Sequence, residues 1–138
     1  MANLNQLPDF AARYAAAWCS QNPASVAAFY APNGWLSING GPRAQGRAAL
    51  TAEAQAFMTA FPDMRVSFDR LVESGDSIQF HWTLTGSYTG PGGTGKRVRI
   101  SGFEEWQIGA DGLIAESRGH FDATEYERQL RHGADTLS

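Results

Sequence analysis

One cysteine, Cys19, in 138 residues leaves no partner for an intramolecular disulfide and no thiolate cluster for a metal. No run or stripe of lysine and arginine stands out against a formal net charge of -3, so nucleic acid and anionic membrane are poor fits as partners. No apolar run reaches the roughly 18 residues that a membrane-spanning helix requires. Met1-Ala2-Asn3-Leu4-Asn5-Gln6 lacks the basic-then-apolar order of a secretory signal, and the expected location is the cytoplasm. Internal repeats and linkers are also missing. The chain is therefore expected to be one domain over residues 1–138, with its core between about residues 7 and 132.

A phosphate-binding loop is missing too, despite a near match. Gly90-Pro91-Gly92-Gly93-Thr94-Gly95-Lys96 has the spacing up to its lysine, but Arg97 stands where Ser or Thr would hold magnesium. The residues after it alternate as a strand, whereas a phosphate loop opens a helix. The stretch reads as a glycine-rich connection between strands.

What is present is a hydrophobic fraction of 43% with 12% aromatics, enough for a packed core and a small pocket. Leu7, Phe10, Tyr14, Ala17 and Trp18 recur at helical spacing and predict a helix over about 6–20. Cys19, near its end, reads as a small core residue. Asn22 and Pro23 predict the cap and first turn of a short second helix carrying Val26, Phe29 and Tyr30, with Pro32-Asn33-Gly34 ending it. Trp35 to Ile38 reads as a brief strand. A third helix over about 47–60 follows, stopped by Pro62. From Met64 onward the period becomes two. Strands are expected from Met64 to Val72, through Ile78 to Leu84, from Arg97 to Ile108, and from Leu113 to Asp122 after the turn Gly109-Ala110-Asp111-Gly112. Tyr126, Leu130 and Gly133 predict a short closing helix, with Ala134 to Ser138 frayed. Helices first and antiparallel strands after them predict an α+β domain with helices on one face of a strongly curved sheet.

The hairpin from Arg97 to Asp122 holds most of the residues suited to chemistry. Val98, Ile100, Trp106 and Ile108 share a face, and Glu104 has their parity, which puts a carboxylate on an apolar surface where it needs a partner. Simple alternation on the return strand places Glu116, Arg118, His120 and Asp122 together with Ile114. Arg118 is then the natural cross-strand partner of Glu104. His81 lies on the polar parity of its own strand, away from the others. With no HxxxH-type spacing either, neither a metal site nor any other cofactor is expected. Trp18, Trp35, Trp82 and Trp106 read as core or as the lining of a pocket for an apolar or aromatic ligand.

Asp122 carries two readings. It is either a pocket acid/base or the cap of the closing helix, because Asp122-Ala123-Thr124-Glu125 has capping-box spacing. Thr124 to Glu127 fits a capping box equally well and would leave Asp122 to the pocket.

Taken together, the three early helices, Phe61-Pro62-Asp63, Thr83 to Gly90 followed by Thr94-Gly95-Lys96, and Asp111 to Glu116 with Asp122 after them resemble the SnoaL-like polyketide cyclases of the nuclear transport factor 2-like superfamily. The resemblance spans about residues 7–132. It implies a cone-shaped α+β barrel, three N-terminal helices capping a curved antiparallel sheet around an apolar pocket, and a homodimer formed through the outer sheet face. It also implies a general acid/base at the aspartate ending the last strand, which by motif is Asp122. Arg118 stands where the family shows an aromatic. The expected function is cofactor-free isomerase, cyclase or hydrolase chemistry on a small apolar, oxygen-bearing metabolite. In that reading Asp122 is the acid/base and His120 a polariser, Glu104 and Arg118 position the substrate, and Trp18, Trp35 and Trp106 line the pocket. The alternative is a non-catalytic binding or dimerisation module, in which Glu104, Arg118, His120 and Asp122 satisfy one another with no open cavity.

Overall fold

The apolar stripe of the first helix docks on the sheet that the later strands build, and the site lies between them. A computed structural model describes residues 6–134; the expected fraying at the C-terminus falls, beyond Ala134, outside the described residues. In chain order the elements are α1 (Leu7–Cys19), α2 (Pro23–Ala27), β1 (Tyr30–Ile38), β2 (Ala44–Gln45), α3 (Arg47–Ala60), β3 (Arg65–Ser74), β4 (Ser77–Ser87), β5 (Arg97–Ile108), β6 (Ile114–Phe121) and α4 (Ala123–His132). This is the predicted α+β architecture, with helices packed on a six-stranded curved sheet that does not close on itself.

The strand order is β2-β1-β6-β5-β4-β3. From β3 to β6 the chain is an antiparallel meander. The sheet is not wholly antiparallel as the sequence predicts, because β1 lies parallel to β6. A parallel pair needs a long crossover, and here α3 together with the meander supplies it. β1 is also longer than the expected Trp35–Ile38. It starts at Tyr30, and its register against β6 slips between Tyr30 and Trp35, the segment that holds Pro32, a residue with no backbone donor for a ladder. The two-residue β2 escaped sequence analysis because so short a pairing leaves no periodic signal.

Tyr14 is the centre of the core. Its ring lies within 5.3–6.4 Å of Trp18, Phe29, Tyr30, Phe80 and Trp106, mostly edge-to-face, the geometry that aromatic quadrupoles favour. Phe80 and Trp106 stack at 4.9 Å across β4 and β5. Cys19 ties α1 to β3: its Sγ receives the Val66 N–H at 3.1 Å and faces the Val66 carbonyl at 3.4 Å. Cys19 is half-buried and not part of the buried core in which its sequence context places it.

The return strand β6 departs from simple alternation, and the site depends on the departure. Ile108 pairs with Ile114, but the next residue back on β5, Gln107, pairs with Glu116. Ala115 is therefore an extra residue, a β-bulge, and it inverts the parity of everything after it. Ile114 is inward, and so are Ser117, Gly119 and Phe121, while Glu116, Arg118 and His120 turn to the outer face. Sharing a face with Ile114, as strict alternation expects of those three, does not occur.

Candidate functional site

On the inner face the sheet and helices enclose an apolar pocket. It holds about 600 Å³ of empty space when its mouth to solvent is counted. Trp18 and Phe57 line it from α1 and α3; Phe80, Trp82 and Leu84 from β4; Ile100 and Glu104 from β5; Gly119 and Phe121 from β6. Among the described lining residues Glu104 is the only acid, and there is no lysine, arginine or histidine.

Glu104 sits here because its parity is that of Val98, Ile100 and Trp106, which are buried beside it. Three donors meet one of its oxygens. Oε1 accepts from Trp106 Nε1 at 2.9 Å, Ser117 Oγ at 2.9 Å and Tyr14 Oη at 3.0 Å. Oε2 has only the longer Tyr14 contact at 3.3 Å. Tyr14 Oη also lies 2.8 Å from Tyr30 Oη. A carboxylate can only accept, so the chain of donation runs from Tyr30 to Tyr14 to Glu104. Burial raises the Glu104 pKa, and the hydrogen bonds from Trp106, Ser117 and Tyr14 only partly oppose it. The same burial, with the Glu104 charge next in importance, pushes Tyr14 and Tyr30 well above the ordinary phenol range. Both phenols therefore stay protonated and serve as fixed donors. A buried carboxylate with one oxygen held by three donors and the other nearly free can take up and return a proton at the free oxygen.

The residues singled out from the sequence separate into two sets. Glu104, Trp106 and Trp18 share the inner side of the sheet, but only Glu104 and Trp18 line the pocket; Trp106, expected to line it as well, is fully buried in the core and serves as a donor to Glu104. Arg118, His120 and Trp35 do not join them. Arg118 opposes Glu105, not Glu104, and its guanidinium donates to Glu116 at 3.1 Å. The expected Glu104–Arg118 pair is absent because the bulge at Ala115 shifts the register by one. Trp35 is buried under two cations, with Arg43 and Arg118 centred 4.0 and 4.9 Å from its ring. His120 Nε2 meets Glu105 Oε1 at 2.9 Å, and its ring packs on Phe103, which stacks on His81. Asp122 caps α4: its Oδ1 accepts the Glu125 N–H at 3.0 Å, and its side chain is exposed.

Sequence analysis missed Ser117, Tyr14, Tyr30 and Gly119 as parts of the site. A signal for Ser117 and Gly119 was available. Three successive charged or polar residues of one parity, Glu116, Arg118 and His120, against Ser117, Gly119 and Phe121 on the other, is the pattern of a strand whose odd positions face inward. Tyr14 and Tyr30 look like core residues in sequence, and only the fold brings their hydroxyls to Glu104.

The sequence matches the family model of the SnoaL-like polyketide cyclases over residues 9–130. No curated protein matches it. Solved structures share the fold at low identity. A protein with a ketosteroid isomerase-like fold from Catenulispora acidiphila, solved in complex with trimethylamine, is 15% identical with a TM-score of 0.77, covering 89% of this chain and 92% of its own. TsrD from Streptomyces laurentii is 20% identical with a TM-score of 0.78, covering 94% and 98% respectively. The epoxide hydrolase/cyclase-like enzyme SalBIII, of pyran ring formation in the polyether salinomycin, is 17% identical with a TM-score of 0.75, covering 90% and 96%.

Proposed function

The chain belongs to the SnoaL-like polyketide cyclase family, and we propose that it is a cofactor-free enzyme that moves a proton on a small apolar, carbonyl-bearing metabolite, with Glu104 as the acid/base. The observation that carries this reading is a single buried carboxylate lining an otherwise apolar pocket, its pKa raised and one oxygen left without a short hydrogen bond. Raising a carboxyl toward neutrality makes it a better base for a carbon acid at ordinary pH. In the proposed step a C–H bond next to the carbonyl breaks, its proton goes to Glu104 Oε2, and the electron pair spreads onto the carbonyl oxygen as an enolate. Returning the proton at another carbon isomerises the substrate. Attack by the enolate carbon on a second carbonyl in the same molecule closes a ring: the C–C bond forms as that carbonyl's π bond breaks, and the proton on Glu104 passes to the new alkoxide oxygen. Donors fixed on Oε1 keep the carboxylate oriented throughout, so no reorganisation accompanies the transfer.

His120 and Arg118 have no part in this step, because they occupy the outer face. The non-catalytic reading asks Glu104, Arg118, His120 and Asp122 to neutralise one another. Their dispersal over two faces and a helix end favours the enzyme. The test uses acetophenone as a general carbon acid: the protein should catalyse hydrogen–deuterium exchange of its methyl protons in D2O, followed by proton NMR. Exchange no faster than in buffer would sink the proposal.

Asp122 supplies the control. Asparagine caps helices about as well as aspartate, so Asp122→Asn should unfold at nearly the wild-type midpoint and exchange acetophenone at the wild-type rate. A hundredfold loss in that variant, with Glu104→Gln unaffected, would move the acid/base role to Asp122.

A further inference from the structure

Resting on that reading of the pocket, we propose that Gly119 determines which substrates reach Glu104: the space left by its missing side chain receives the apolar group carried by the reacting ketone. A row of inward positions has a gap there. Across the sheet, Ile38 of β1 pairs with Gly119 of β6, Gly119 with Glu104 of β5, and Glu104 with Phe80 of β4. All four line the pocket. Paired residues put their side chains on one face, and neighbouring strands lie roughly 4.7–4.9 Å apart. Between Ile38 and Glu104 the place of one side chain is therefore open.

The fold does not ask for a glycine at this point. A glycine inside a strand weakens it, and it commonly marks a bulge, a bend, or the close approach of another backbone or of a ligand. The bulge of β6 is at Ala115, and pairing with β5 is regular from Glu116 to Phe121. The φ of Gly119 is not positive. No backbone crowds it either. A Cβ added there would meet the Ser37 carbonyl oxygen at 3.5 Å and Glu104 Cγ and Ile38 Cγ1 at 3.9 Å, all ordinary van der Waals distances. Gly102 is the contrast, since a Cβ at that position would come within 2.3 Å of the His120 carbonyl oxygen. The backbone at 119 would accept a side chain, so neither its conformation nor crowding accounts for the glycine. Close approach of a ligand does. Beside the gap in the lining are Ile38, the stem of Glu104 and, next inward along β6, Phe121. With no lysine, arginine or histidine in the lining, a charged group would lie there unpaired. The substrate class that fits is a neutral ketone whose reacting C–H faces Glu104 and whose aryl or bulky alkyl group lies over Gly119.

The test uses acetophenone and acetone, which share the exchanging methyl and differ by a phenyl group in place of the second methyl. Gly119→Ala and Gly119→Val put a methyl and an isopropyl group into the gap. For hydrogen–deuterium exchange in D2O, the ratio of kcat/KM for acetophenone to that for acetone should fall about tenfold in the alanine variant. It should fall further in the valine variant, since one methylene in an apolar pocket discriminates by about 10- to 200-fold. In the wild type, nuclear Overhauser contacts should join the phenyl protons of bound acetophenone to the Gly119 α protons. The alanine variant should unfold at no lower a urea concentration than the wild type. If the valine variant does not fold, the alanine variant and the wild-type contacts decide. A ratio that stays unchanged in folded variants, or a phenyl group with no contact to Gly119, overturns the proposal. So does a strongly destabilised alanine variant, which would make the glycine a requirement of the fold. The two readings fail separately. Exchange of both ketones with an unchanged ratio would keep Glu104 as the base and remove Gly119, whereas phenyl contacts to Gly119 with no exchange of either ketone would remove Glu104 and keep the Gly119 subsite.

Discussion

The Glu104→Gln variant is expected to lose about 10²- to 10⁴-fold in proton-transfer rate, the range over which a positioned base acts, while remaining folded. The amide is nearly isosteric with the carboxylate. Its oxygen can still accept from Trp106, Ser117 and Tyr14, so the cluster keeps its hydrogen bonds. What disappears is the basic lone pair at Oε2. Stability should respond in a direction that depends on pH. The folded-state pKa of Glu104 lies above its unfolded value, near 4.5. Its contribution to stability is therefore fully present below about pH 4.5 and is lost as pH rises through the raised folded-state value. The glutamine variant does not titrate there. Measured by urea unfolding, its stability relative to the wild type should increase across that window and level off above it. A variant that unfolds outright, or one whose advantage grows toward low pH, would contradict the account of Glu104 as a buried carboxylate carrying its charge at a cost. A wild-type exchange rate in a folded variant would remove Glu104 as the base.

The elements of this fold were legible because each rests on a local signal. Leu7, Tyr14 and Trp18 mark α1 by their spacing, Pro23 opens α2, Pro62 follows α3, and alternation announces β4 and β5. Glu104 was legible for the same reason: on β5 no irregularity intervenes between Val98 and Trp106, so parity alone put the carboxylate in the core. The failures share one cause. Pairings between residues distant in sequence, such as β1 with β6, are set by topology and leave no periodic trace. A bulge is a single inserted residue that alternation carries across unnoticed. At Ala115 that one residue separates a reading in which Arg118 and His120 face the substrate from one in which Ser117 and Gly119 do. Asp122 shows a different limit. The sequence contained its capping box, but a second box two residues later fitted equally well, and only the hydrogen bond to Glu125 distinguishes them.

Deleting Ala115 should be mild and deleting Arg118 severe, although each removes one residue from the same strand. Ala115 is the extra residue of the bulge, makes no polar side-chain contact and is only half-buried. Without it Ile114 still pairs with Ile108 and Glu116 with Gln107, so β6 becomes a regular strand in which Ile114, Ser117, Gly119 and Phe121 keep the inner face. The loss is confined to the local bend of the bulge, and the deletion should cost no more than about 2 kcal/mol. Beyond the bulge the strand has no spare residue. If the strand up to Ser117 holds when Arg118 is deleted, His120 takes the inward place of Gly119 and Phe121 leaves the pocket. If Gly119 to Phe121 hold instead, the bulge is drawn in and Glu116 takes the place of Ser117 against Glu104. Either way a polar or charged side chain enters an apolar site without a partner, which costs several kcal/mol, a large part of the roughly 5–15 kcal/mol of stability that a domain has to lose. Urea unfolding of the two variants checks the order. An Ala115 deletion as damaging as the Arg118 deletion would mean that the bulge itself, and not the pairing register on either side of it, holds Ser117 and Gly119 inward.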